Sequence, residues 1–181
     1  MRSHVKKLYC VELLSKCPKV DNKSFWVYNR ILDSKELESK MEYEVEASNQ
    51  KSKKFLDSLM PSIIEQLGLT NSRKAVLVKV TDDIPDGMAG ATLNISFADC
   101  YLVLIRSAKR LTKTSLLDMA LTLSHEMVHV RQLAKGQMKF LPKNGRVWMG
   151  KTYSKKTKYL DQPWELDAFA RQEIVLRRAI E

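Results

Sequence analysis

Five residues in the second half of the chain, His125-Glu126-Met127-Val128-His129, constrain its folding most, because they set two imidazoles and a carboxylate inside one of its most apolar stretches. Leu116, Met119, Leu123, Met127 and Val130 recur at helical spacing, and Leu117, Ala120, Leu121 and Val128 widen the stripe. The spacing predicts a helix buried over most of its circumference, starting near Thr114 or Ser115 with Ser115 and Asp118 as a capping pair, and ending at Gly136. Residues four apart share a helix face, so His125 and His129 point the same way with Glu126 beside them. Buried imidazoles need partners, and one shared metal ion satisfies both. Neutral imidazoles suit Zn²⁺, and a carboxylate beside zinc-activated water can take its proton as general base.

A catalytic zinc site takes a third protein ligand and leaves a position open for water. After His129 the chain has no further His or Cys, and its only carboxylates are Asp161, Glu165, Asp167, Glu173 and Glu181. Asp161-Gln162-Pro163-Trp164-Glu165 reads as a helix start, with Asp161 or Gln162 as cap and Pro163 in the first turn. On that helix Glu165 shares a face with Ala168, Phe169, Gln172, Leu176 and Ala179, and an inward carboxylate needs a cation. Asp167 lies well around the helix, and Glu173 sits among Arg171 and Arg177. Glu165 is therefore the favoured third ligand. Its other available role is a charge on the N-terminal end of the helix dipole.

His125-Glu126-Met127-Val128-His129, then Trp148-Met149-Gly150 and Tyr153, then Pro163-Trp164-Glu165-Leu166-Asp167-Ala168, resemble the gluzincin-type and SprT-like metallopeptidases, including small phage-encoded ones. The resemblance covers roughly residues 50 to 181. It implies a minimal zincin-like domain in which His125 and His129 bind zinc, Glu126 is the general base and Glu165 completes the site. Where the thermolysin-like pattern places an aspartate to orient a histidine, this chain has Phe169. The partner of His125 or His129 is left open between Asp167 and a backbone carbonyl.

The remainder of the chain sets the frame. With 181 residues, 44% of them hydrophobic, it can bury one compact core. Three cysteines, Cys10, Cys17 and Cys100, form no tight pair and read as reduced thiols. Charges throughout residues 1 to 20 leave no signal peptide, and no apolar run reaches membrane-spanning length, so a cytoplasmic protein is expected. Residues 1–47 read as an N-terminal extension of unknown role, with a short strand at Phe25-Trp26-Val27-Tyr28, and His4 reads as solvated. From about Ser48 to Leu69, Phe55, Leu59, Ile63 and Leu67 mark an amphipathic helix, kinked or started at Pro61 and stopped at Gly68. Ala75 to Val80, Thr92 to Phe97 and Tyr101 to Arg106 read as strands, the last two joined by a turn at Ala98-Asp99-Cys100. Tyr101 to Arg106 either borders a cleft, where a peptide could pair with it, or is a covered internal strand.

Residues 142–160 hold Lys143, Arg146, Lys151, Lys155, Lys156 and Lys158 without an acidic residue, interleaved with Trp148, Tyr153 and Tyr159. Thirty-one Lys and Arg against 21 Asp and Glu give the whole chain a charge of +10. This segment reads as a solvated hairpin, Lys139–Leu141 against Arg146–Tyr153, with a nucleic-acid surface as the alternative. Tyr153 or Tyr159 is a candidate donor to the oxyanion formed on a peptide carbonyl. The expectation is an α+β, zincin-like metallopeptidase domain over 48–181 that uses Zn²⁺ to hydrolyse a protein or peptide substrate. Its rivals are a non-catalytic zinc-stapled DNA- or protein-binding module, with Cys100 or Asp167 as fourth ligand, and a nucleic-acid-associated protease.

Overall fold

The computed structural model describes residues 41–95, 99–141, 145–154 and 156–181. His4, Cys10, Cys17 and the strand expected at 25–28 lie outside the described residues, as do Phe97, Ala98, Lys143 and Lys155. In chain order the elements are β1 (Tyr43–Glu46), α1 (Gln50–Gln66), β2 (Ala75–Thr81), β3 (Gly90–Ile95), β4 (Cys100–Arg106), α2 (Lys113–Ala134), β5 (Met138–Phe140), β6 (Arg146–Trp148), β7 (Lys151–Tyr153), a 3-10 turn at Tyr159–Asp161, and α3 (Pro163–Ile180). The architecture is α+β. It has three helices, a mixed four-stranded sheet in the order β1-β2-β4-β3, and a separate antiparallel sheet in the order β5-β6-β7.

The helix ends follow from local chemistry. Asn49 caps α1, its side-chain oxygen accepting from the N–H groups of Lys51 and Ser52. The helix runs through Pro61 without starting there, and its buried stripe is Leu56, Leu59, Met60, Ile63 and Ile64. Phe55, expected in that stripe, is only partly buried. Gly68 stops the helix with φ +62°, and its N–H and that of Leu69 close back on Glu65 and Ile64 at 2.9 Å each. Gly136 (φ +68°) ends α2 in the same way, with Gln137 closing on Gln132. The α2 cap differs from the expected Ser115 and Asp118. Thr112 is the N-cap and Ser115 answers it in a reciprocal pair, the Thr112 hydroxyl accepting from the Ser115 N–H and the Ser115 hydroxyl from the Thr112 N–H.

β1, β2 and β4 run parallel, and β3 returns antiparallel to β4 at the sheet edge. β1 lies within the stretch read as an extension, yet Met41 and Val45 belong to the main core. Val76, Val78 and Val80 of β2 alternate into that core beneath the helices, joined by Val103 and Ile105 of β4. α2 rests on β3 and β4 and packs along α3, and α1 meets both helices. Of the expected α2 stripe, Met119, Leu123, Met127 and Val130 are buried, whereas Leu117 is 46% exposed. Tyr101–Arg106 is internal, flanked by β2 and β3, so the edge position falls to β3. Arg106 secures the approach to that edge, donating to the carbonyls of Ile84, Pro85 and Met88 at 2.8 Å each. No helix among the described residues is long and apolar enough to cross a membrane.

Candidate metal centre

The two α2 histidines and the first-turn glutamate of α3 meet in the interface between those helices. Glu165 Oε2 lies 3.2 Å from His125 Nε2 and 3.3 Å from His129 Nε2. His125, Glu126, His129 and Glu165 are each only 6–7% exposed. Both imidazoles are held from behind. His125 Nδ1 is 2.8 Å from Gln172 Oε1 on α3, and His129 Nδ1 is 2.8 Å from Gln132 Oε1 on α2. The Gln132 amide has its orientation fixed independently, since its nitrogen donates to the Trp164 carbonyl at 2.9 Å and to Asp167 Oδ2 at 3.0 Å. An amide oxygen accepts, so Nδ1 of His129 must carry the proton and Nε2 presents a lone pair.

That tautomer gives a chemical test of what the cluster fits. Two imidazole lone pairs directed at a carboxylate oxygen are three acceptors facing one another, and buried acceptors repel unless a cation lies between them. Without a metal, a proton takes that place. Burial lowers the proton affinity of His129, but the Glu165 hydrogen bond and the carboxylates of Glu126 and Glu165 outweigh it and move the pKa up. Burial raises Glu165, yet hydrogen bonds from His125 and His129 dominate and hold it well below the usual carboxylate range. Two nitrogens and one oxygen with outer partners already in place are a set that a divalent ion satisfies outright. Among the described residues these are the His, Cys, Asp or Glu side chains grouped closely enough to share an ion, their donor atoms lying within 4.8 Å of one another.

Glu126 stands beside the cluster, with Thr92 of β3 donating to its Oε2 at 2.7 Å. Burial pushes its carboxyl up, opposed by His129, by the Thr92 hydrogen bond and by His125. Gly90, also on β3, makes room for it: a Cβ there would come within 2.8 Å of Glu126 Oε1 and 2.7 Å of Thr122 Cγ2. Tyr159 faces Glu165 from the turn before α3. Partial burial and its hydrogen bond to Glu165 push the phenol up, so it remains a protonated donor. Arg146 of β6 brings a guanidinium to 3.9 Å from Glu165 Oε1, the oxygen turned away from the histidines.

The structure brings His125, Glu126, His129, Glu165 and Tyr159 together and leaves Tyr153 out. Tyr153 instead packs edge-on against the Trp164 ring at 5.6 Å. Phe169 meets the His125 ring edge-on at 4.8 Å and orients nothing by hydrogen bonding. Asp167 serves one step removed, holding Gln132 rather than an imidazole. Cys100 starts β4, and burial lifts its thiol to about 11. The expected hairpin forms in part: Met138–Phe140 pairs with Arg146–Trp148, but the strand expected to run on to Tyr153 turns at Met149-Gly150, and Lys151–Tyr153 folds back on it as β7. Lys151, Lys156 and Lys158 are exposed along it, while Arg146 turns inward. Gln132, Gln172, Thr92 and Arg146 were not singled out as site residues from sequence. The i, i+3 spacing of His129 and Gln132 was a usable signal for one of them. Comparison with protein-family models, curated proteins and solved structures gives no match for this chain.

Proposed function

We propose that this chain is a zinc-dependent metallopeptidase of the zincin-like, gluzincin or SprT-like kind. In this reading His125, His129 and Glu165 are the metal ligands and Glu126 is the general base. One observation carries it: two imidazoles, oriented by Gln172 and Gln132, converge with Glu165 Oε2 at a point beside the buried Glu126. A set of two imidazoles and one carboxylate suits Zn²⁺, and three ligands leave the open position that hydrolysis needs. When bound, the metal supplies Lewis acidity toward a peptide carbonyl and toward water.

The remaining work belongs to the chain. Glu126, its proton affinity raised by burial, takes a proton from the attacking water and passes it to the departing amine. Tyr159, kept protonated, donates to the oxygen that gains charge as the carbonyl becomes tetrahedral. β3 has no strand on its outer side among the described residues, so an extended peptide can pair along it. Such a peptide runs past Thr92, whose hydroxyl already reaches the general base. A purely structural zinc site would be closed by a fourth protein ligand, and no fourth His, Cys, Asp or Glu joins the three among the described residues.

Metal analysis together with peptide hydrolysis tests this. The expected result is one zinc per chain, lost in His125→Ala and in His129→Ala. Glu126→Gln should retain zinc and lose roughly 100- to 10,000-fold in turnover of an unfolded protein substrate. Purified chain that holds no near-stoichiometric metal, and takes up none when offered zinc, would end this reading.

A further inference from the structure

Arg146 lies beside the cluster without being part of it. Its guanidinium carbon sits 4.9 Å from the Trp164 ring centroid and 5.3 Å from that of Phe140, so a buried ring and a half-exposed one clamp it. Its nearest carboxylate oxygen, Glu165 Oε1, is at 3.9 Å, close enough to pair electrostatically but beyond hydrogen-bond reach. A guanidinium placed only to neutralise Glu165 would close to about 2.7–2.9 Å and spend its fork there. Among the described residues no acceptor takes its N–H groups within hydrogen-bond distance, and the side chain is 35% exposed.

A planar fork of donors, held by two rings and opening to solvent beside a reaction centre, is a receptor for a planar anion. A phosphate backbone fits less well. Lys151, Lys156 and Lys158 are exposed and none of them pairs with the cluster among the described residues, whereas Arg146 lies against Glu165. A carboxylate needs only this one fork. The α-carboxylate of a terminal residue follows the scissile nitrogen by a single Cα, well within one residue spacing of about 3.8 Å.

Resting on the metallopeptidase reading, we propose that Arg146 grips a carboxylate of the substrate, so that the site selects peptide bonds next to one. The carboxylate has two sources, a free C-terminus or an acidic side chain. Three N-acetylated peptides that differ only at the C-terminal end separate them: one ending as the acid, one as the amide, and one as the amide with its last residue replaced by Glu. With the zinc-loaded full chain, one carboxylate peptide should be cleaved at least tenfold faster than the plain amide in kcat/KM, chiefly through KM. Preference for the acid assigns the C-terminus, and preference for the Glu amide assigns the side chain. Arg146→Met should bring the favoured peptide to within about twofold of the amide at unchanged zinc content, and Arg146→Lys should recover part of the preference. If all three peptides are cleaved alike, or if Arg146→Met keeps the discrimination, the Arg146 proposal is overturned while the hydrolase reading stands. Zinc-loaded chain that cleaves none of them removes both.

Discussion

At the scale of single residues, the property that makes Glu126 useful is set by what touches it. Burial raises its proton affinity, while His129, the Thr92 hydroxyl and His125 pull it back. A general base works only when ionised, so hydrolysis should fail as pH drops through its pKa. Thr92→Val removes a hydrogen bond made to the charged form, which moves that pKa further up. The acid limb of the kcat/KM profile should therefore shift to higher pH in Thr92→Val, with a several-fold loss at the acid end and little at the alkaline end. A limb that stays in place would show that Thr92 does not tune the base. The sequence displayed His125, Glu126 and His129 because their relation is local, fixed by one helical turn. It did not display Thr92 or Gln172, whose partners lie 34 and 47 residues away and whose side-chain types are common on any surface. Glu165 was legible by elimination, since few acidic residues follow His129, whereas the choice of Tyr159 over Tyr153 depends on how the last turn before α3 is laid.

Between elements, β3 comes up against α2 at Gly90. Gly90 sits where any side chain would strike Glu126 and Thr122, and Thr122 is itself held by its hydroxyl donating to the Asp118 carbonyl at 2.9 Å. Gly90→Ala should therefore push Glu126 out of place, lowering turnover at least tenfold while zinc content stays near one per chain. Loss of zinc along with activity would mean that the strand props up the ligands as well as the base. Apolar periodicity revealed the helices, and runs of β-branched and apolar residues revealed β2, β3 and β4. The order β1-β2-β4-β3 was not readable, since alternating apolar residues specify a buried face and not a neighbour. β1 is four residues long and stands in a charged stretch, so its local pattern gave no sign that it completes the sheet.

Across the whole molecule, the candidate centre ties α2 to α3 far more than to the sheet. A metal held there binds the folded chain and not the unfolded one, and at a free concentration a hundred times its Kd it adds about 2.7 kcal/mol of stability. For a chain of this size that corresponds to a rise in Tm of roughly 5–10 °C on adding zinc. The rise should vanish on chelation and in His129→Ala, measured by calorimetry, and equal melting with and without zinc would argue against a metal across the helix pair. The same pairing governs which changes of length the chain can absorb. Glu165 and Gln172 are seven residues apart on α3, two helical turns, and they meet a histidine pair one turn apart on α2 like two gears in mesh. A residue inserted between β5 and β6 leaves the angle between Glu165 and Gln172 untouched. One deleted from 166–171 turns them about 100° out of step, so a length change there disengages either Glu165 or the prop behind His125.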